Sequence, residues 1–292
     1  MAGGGGGAGS SATLAPFVKF SSIAVPSTIQ INGSSQQVDY TYDTSTNRVT
    51  SLSAVTPFTS GASYLGTYDA NGDTTKAVLT SATGTSITVD TANGGQFIDT
   101  GNFTWSQPVN NQSFVLSANP QSYGWDYQTF GVWATGEGTG SGTVGAASIG
   151  AETAGSAIPV SGIATFKGVS GGQYVDITGG STGPSSTITR SDMTATADFG
   201  ARTIAFATTN TGNFFSPTSA NMPDLDMSGT LSYSAGVNKF MGAVSTVGGA
   251  SNAAMSGNAT GKFYGPTAQE IGGTFAVSNS GAGYLGAFGG KR

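Results

Sequence analysis

The chain has 292 residues, 47 of them glycine, with 37% hydrophobic and only 9% charged residues and a formal net charge of -5. It contains no cysteine and no histidine, which excludes disulfides, thiolate chemistry, cysteine-held metals, the usual general base and the commonest metal ligand. The Lys and Arg residues are scattered except at the terminus, leaving no basic stripe for a nucleic-acid backbone, while 16 Phe, 10 Tyr and 3 Trp point to a chain that folds.

Residues 1–12 open with a five-glycine run and read as a flexible tether. From residue 13 to 150 the pattern is short alternating strands separated by turn residues, with no helical periodicity over three turns. Thr28–Ile31, Asn32-Gly33 and Gln37–Tyr42 predict a hairpin, since Asn-Gly between alternating runs is the strongest local hairpin signal. Asp69-Ala-Asn-Gly-Asp73 separates Tyr64–Tyr68 from Lys76–Thr80. Its oxygens suggest a calcium loop, but the sixth-position glycine and twelfth-position glutamate of such a loop are missing, and a hairpin turn accounts for it. Tyr123, Trp125, Tyr127, Phe130 and Trp133 form the most aromatic stretch, read either as the small core where two sheets meet or as a ligand shelf. Thr135–Gly145, rich in glycine, serine and threonine, reads as a long loop or linker, and a domain boundary is placed near 150.

Residues 151–292 repeat a theme in which Ser161-Gly162, Ser228-Gly229 and Ser256-Gly257 each open an alternating strand. Glycine inside strands costs roughly 0.5–1 kcal/mol relative to alanine, so its abundance needs a reason; close packing across a small barrel supplies one. Thr208–Asp224 has no evident place in a sheet, and its adjacent Phe214 and Phe215 in a polar loop predict either a contact site or packing on a barrel rim. At the end of the chain, Ala259, Gly261 and Phe263 fall on one strand face and Thr260, Lys262 and Tyr264 on the other. Gly265-Pro266 breaks that strand, Thr267–Ile271 suits one helical turn, and Gly272-Gly273 releases the chain into another strand. Without His or Cys, catalysis would need a Ser-Lys pair or two carboxylates. Only Glu137, Glu152 and Glu270 are glutamates, most aspartates have turn explanations, and Glu270 is expected to accept backbone N–H bonds at the corner. The chain is therefore read as non-enzymatic.

Gly261–Phe275, with the terminal Gly286–Arg292, resembles the closing signature of the transferrin-binding protein B-like lipoproteins, a group that includes the hemophilins. Ile158–Gly168 and Met193–Gly200 resemble the family's barrel-opening and mid-barrel strands. The resemblance implies an all-β fold, with an N-terminal handle β-sheet domain over 13–150 followed by a C-terminal eight-stranded antiparallel barrel over 151–292. It also implies capture of an iron- or heme-type ligand, or a host iron protein, for a TonB-dependent outer-membrane receptor. Export by a Slam-type translocator and anchoring at the Gram-negative cell surface by a lipid on a cysteine just upstream of the tether are implied too, with a secreted protein as the alternative. No cofactor is expected beyond heme as cargo. With no histidine, a heme iron could be held only by tyrosine or methionine, such as Tyr64, Tyr68, Tyr123 or Met222. The candidate ligand-binding residues are thus Tyr64, Tyr68, Tyr123, Trp125, Tyr127, Phe214, Phe215 and Met222. Two other readings stay open: a surface protein that masks the cell or adheres without cargo, and a glycan binder using Trp125-Asp126.

Overall fold

The protein is described from a computed structural model, covering residues 19–178, 186–216, 221–248 and 254–292. The expected tether, 1–12, lies outside the described residues. Among the described residues eighteen strands dominate, and the one α-helix is α1, Pro120–Tyr123.

The first ten strands form one sheet in the order β5-β4-β3-β1-β10-β9-β8-β7-β6, with β2 also paired to β1. They are β1 Ser27–Asp43, β2 Arg48–Leu52, β3 Thr59–Tyr68, β4 Thr74–Thr80, β5 Ser86–Asp90, β6 Gln96–Asp99, β7 Phe103–Gln107, β8 Ser113–Ala118, β9 Gln128–Thr135 and β10 Ser141–Gly150. The end strands β5 and β6 are consecutive in the chain, so the sheet rolls into a nearly closed cylinder. Asp90 caps the 3-10 turn between them by accepting from the Ala92 N–H, and Gly94 at φ 82° ends it. Asp69 likewise closes the β3–β4 hairpin, its Oδ1 accepting from the N–H groups of Asn71 and Asp73. That is the turn chemistry expected there.

The remaining strands close into an antiparallel barrel: β11 Ile163–Asp176, β12 Ser186–Asp198, β13 Thr203–Asn213, β14 Met227–Tyr233, β15 Phe240–Thr246, β16 Ser256–Tyr264, β17 Glu270–Ser278 and β18 Ala282–Lys291. An eight-stranded barrel has an interior just wide enough for side chains. Here Phe166, Phe199, Phe206, Phe240, Phe263, Phe275 and Phe288 fill it. Each such ring contributes roughly 1.5–3 kcal/mol on burial, and together they make this interior a packed core.

A second core lies between the two sheets, where Leu116, Phe130, Val132 and Ala146 of the first meet Val175, Ile188, Leu285 and Ala287 on the barrel's outer face. The glycines make this approach possible. A Cβ on Gly289 would sit 2.4 Å from the Gln128 Nε2, and one on Gly272 would sit 2.8 Å from the Gln128 Oε1 and the Ser148 Oγ. The third core lines the inside of the rolled sheet.

Four local expectations are corrected. Asn32-Gly33 is not a turn: β1 runs straight through it for 17 residues, with a register shift between Gly33 and Ser34. Gly33 is needed because a Cβ there would lie 2.2 Å from the Ser148 carbonyl of β10, and strand glycines commonly mark such close approach. Thr135–Gly145 is not a linker but the tight β9–β10 hairpin, and the link to the barrel is 151–162. Thr208–Asn213 belongs to β13, whereas 217–220 lies outside the described residues. In place of the expected helical turn over Thr267–Ile271, residues 265–268 form a turn with Ala268 at φ 60°, Glu270 and Ile271 already open β17, and Gly272-Gly273 lies within it.

Candidate functional site

The closing stretch of the chain organises the junction of the two sheets. Strand alternation turns Ala259 and Phe263 into the barrel and presents Thr260, Lys262 and Tyr264 outward, where all three are nonetheless buried. There the Tyr264 hydroxyl pairs with the Ser148 Oγ at 2.7 Å, and the Lys262 Nζ reaches Glu152 at 2.6 Å. Burial pushes the Tyr264 phenol strongly upward. Glu270 does accept backbone N–H bonds, but from the segment that enters β9 of the first sheet: its Oε1 from Asp126 at 2.6 Å, and its Oε2 from Tyr127 and Gln128 at 2.9 Å each. Burial raises the Glu270 carboxyl, and the three N–H donors pull it part of the way back. The terminal Lys291 donates to the Gly124 carbonyl at 3.1 Å. Residues 124–128 are therefore held from one side by the end of the chain.

What this clamp positions is an aromatic seam. Trp125 is 2% exposed and stacks on Tyr123 at 4.7 Å between ring centroids. Phe103 of β7 meets Tyr123, Phe130 and, at 5.6 Å edge to face, Phe214 just beyond β13. Phe215 is 62% exposed and stands edge to face on Trp105 of β7 at 5.1 Å, with Trp105 stacked on Phe114 at 4.3 Å. The Asn213 Oδ1 accepts from the Phe215 N–H and fixes the turn that lifts this ring outward. The barrel's Phe214-Phe215 pair thus laps over the first sheet and leaves one large ring in solvent. Burial raises the Tyr123 phenol to about 12, with Arg190 and Asp192 of β12 acting on it in opposite senses.

The eight sequence-predicted residues fall into separate places. Tyr123, Trp125, Phe214 and Phe215 share the seam, with Trp125 as its buried floor. Tyr64 and Tyr68 lie inside the rolled first sheet. Tyr127 carries the Lys19 ammonium over its ring at 5.4 Å, and Met222 packs against the barrel core. No group of three or more Asp and Glu suited to a metal occurs among the described residues. Phe103 and Trp105 escaped sequence reasoning because each stands singly in an ordinary alternating strand; only the strand pairing brings them to Phe214 and Phe215.

The family model described as the C-lobe and N-lobe β-barrels of transferrin-binding protein B matches residues 158–292. The matched segment takes in the whole eight-stranded barrel, just under half of the chain. Proteins of the transferrin-binding protein B-like family are binding proteins and not enzymes. A solved variant of transferrin-binding protein B from Haemophilus parasuis Hp5 is 15% identical over 82% of this chain and 48% of its own, with a TM-score of 0.47. The isotype 1 protein from serogroup B Neisseria meningitidis is 16% identical over 89% of this chain and 43% of its own, at 0.45. The N-lobe of lactoferrin-binding protein B from Moraxella bovis is 14% identical over 89% and 98%, at 0.38. The chain spans about half the length of the first two. No curated protein sequence matches it.

Proposed function

We propose that the chain is a non-catalytic surface lipoprotein that captures a host iron-carrying protein of the transferrin class through the aromatic seam and presents it to a TonB-dependent receptor. The observation that carries this reading is Phe215: a large apolar ring, 62% exposed, backed by Trp105 and raised on a barrel of the transferrin-binding protein B family. Interface energy concentrates in aromatic anchors of this kind, ringed by polar surface. Delivery by a Slam-type translocator and anchorage in the outer membrane through an upstream lipid complete the proposal; no helix among the described residues is long and apolar enough to cross a membrane.

Heme is the weaker cargo. A heme iron would draw on a tyrosinate here, and burial raises Tyr64, Tyr68 and Tyr123 alike, which makes ionisation harder. Immobilised full chain is exposed to transferrin and lactoferrin, each with and without iron, and separately titrated with hemin. Binding of an iron carrier, lost on Phe215→Ala, is the expected result. A shifted Soret band without carrier binding would transfer the function to heme. Capture of an iron-free serum protein alone would favour masking.

A further inference from the structure

The two cylinders of this molecule are filled differently. The barrel holds seven phenylalanine rings that fill it, whereas the rolled first sheet mixes aromatic, aliphatic and small side chains inside and encloses a cavity of about 520 Å³. Protein interiors rarely leave voids much larger than a water molecule, and binding pockets commonly span about 300–1,000 Å³, so this space has the size of a site rather than of packing slack. Its walls come from both halves of the sheet: Ala77, Leu79 and Val89 of β4 and β5 face Ala147 and Ile149 of β10. Beyond them the core continues into wholly buried Trp133, whose ring covers Gly145. Exposed residues frame the other end: Val25, the Asn71–Asp73 turn, Asp99 and Gln121.

Polar groups line two sides: Thr104, Ser106, Ser117 and Thr129 stand on β7, β8 and β9, and a tyrosine cluster stands across from them. The Tyr64 hydroxyl interacts with Tyr68 and Thr74, and all three residues line the cavity. The charges are one-sided. Asp73 and Asp99 lie at the rim, and no Lys or Arg is among the described lining residues; the nearby Lys76 is turned outward in an ion pair with Asp90 at 3.2 Å. A carboxylate-bearing ligand would meet repulsion and find no cation, which argues against fatty acids and against the two propionates of a porphyrin.

We propose that the rolled N-terminal sheet is a binding chamber for an uncharged amphipathic small molecule, its apolar body against Leu79, Val89 and Ile149 and a hydrogen-bond acceptor on the Tyr64–Tyr68 hydroxyls. This chamber is separate from the seam and does not depend on what the seam binds. The two sites share α1, which gives Tyr123 to the seam and Pro120 and Gln121 to the chamber wall.

The full chain is titrated with N-phenyl-1-naphthylamine, a neutral probe that fluoresces in apolar surroundings, followed by competition with methyl laurate and with laurate. The expected result is saturable one-to-one binding, displacement by the methyl ester, and at least tenfold weaker competition by the anion. Ala77→Phe and Ala147→Leu, which fill the chamber from opposite walls, lower probe affinity at least tenfold with an unchanged circular dichroism spectrum. Tyr68→Phe weakens the methyl ester severalfold while leaving the probe unaffected. Nuclear Overhauser contacts from bound methyl laurate to the methyls of Leu79, Val89 and Ile149 locate the ligand on the unaltered chain, and decide the matter where a filling variant does not fold. Absence of saturable probe binding, normal binding by folded filling variants, ester contacts elsewhere, or preference for laurate or hemin over the ester would each overturn the proposal.

Discussion

Replacing Glu270 by glutamine tests whether the end of the chain locks the two sheets together. The carboxylate is 3% exposed and accepts three backbone N–H groups of the segment entering β9, at 2.6, 2.9 and 2.9 Å. A glutamine in the same rotamer can place its one oxygen where Tyr127 and Gln128 donate, which leaves its NH₂ against the Asp126 N–H. Orphaning that donor costs about 1–3 kcal/mol, and demoting the two other bonds from charge-assisted to neutral costs about 1 kcal/mol each. Relief from burying a charge offsets part of this, so the net loss is about 2–4 kcal/mol. Glu270→Ala, which orphans all three donors, is expected to lose more. Urea unfolding followed by tryptophan fluorescence reads the change directly, because Trp125 is buried beside the clamped segment. A loss for Glu270→Gln below about 0.5 kcal/mol would mean that water replaces the carboxylate without cost and that the clamp is not a determinant of the junction.

Three further outcomes follow from the same structure. Phe215→Ala should cost no more than about 1.5 kcal/mol of stability, the scale of one aromatic pair, yet weaken carrier binding at least about tenfold by biolayer interferometry, as removal of an interface anchor does. Gly289→Ala, whose Cβ would lie 2.4 Å from the fully buried Gln128 amide, should destabilise by about 1–3 kcal/mol through overpacking, and Gln128→Ala in the same chain should restore part of that loss. In alkali, burial holds the Tyr40 and Tyr284 phenols near about 12, above their ordinary value of 10. Their neutral forms favour the fold, so that contribution is complete below pH 10 and is lost as pH rises towards 12, with Tyr284 alone worth about 2–3 kcal/mol. Urea midpoints measured from pH 8 to 12 should fall over that window, and fall less in Tyr284→Phe; midpoints that hold steady to pH 12 would contradict it.

Legibility in the sequence tracked how local each determinant is. The barrel could be read because alternation in β16 is written in consecutive residues, and Phe263 and Tyr264 fall on opposite faces as the period of two requires. The Asp69–Asp73 turn could be read because its bonds run from the aspartate to its own next residues. Where a residue answers to a distant strand, the local rule failed. Asn32-Gly33 carries a strong turn signal but serves the close approach of Ser148 and Ile149 on β10, a constraint more than a hundred positions away along the chain. Glu270 is the instructive middle case, since the chemistry of a buried carboxylate meant to accept N–H bonds was legible while its partners were not. The seam follows the same logic. Phe214 and Phe215 stood out as a pair, yet the surface they build exists only because register brings Phe103 and Trp105 of another sheet beneath them. The chamber was the least legible feature, because an unfilled space is set by which small side chains face one another across a rolled sheet. Ala77 and Ala147, unremarkable in sequence, decide it together, and that is why filling either one discriminates between a site and a core.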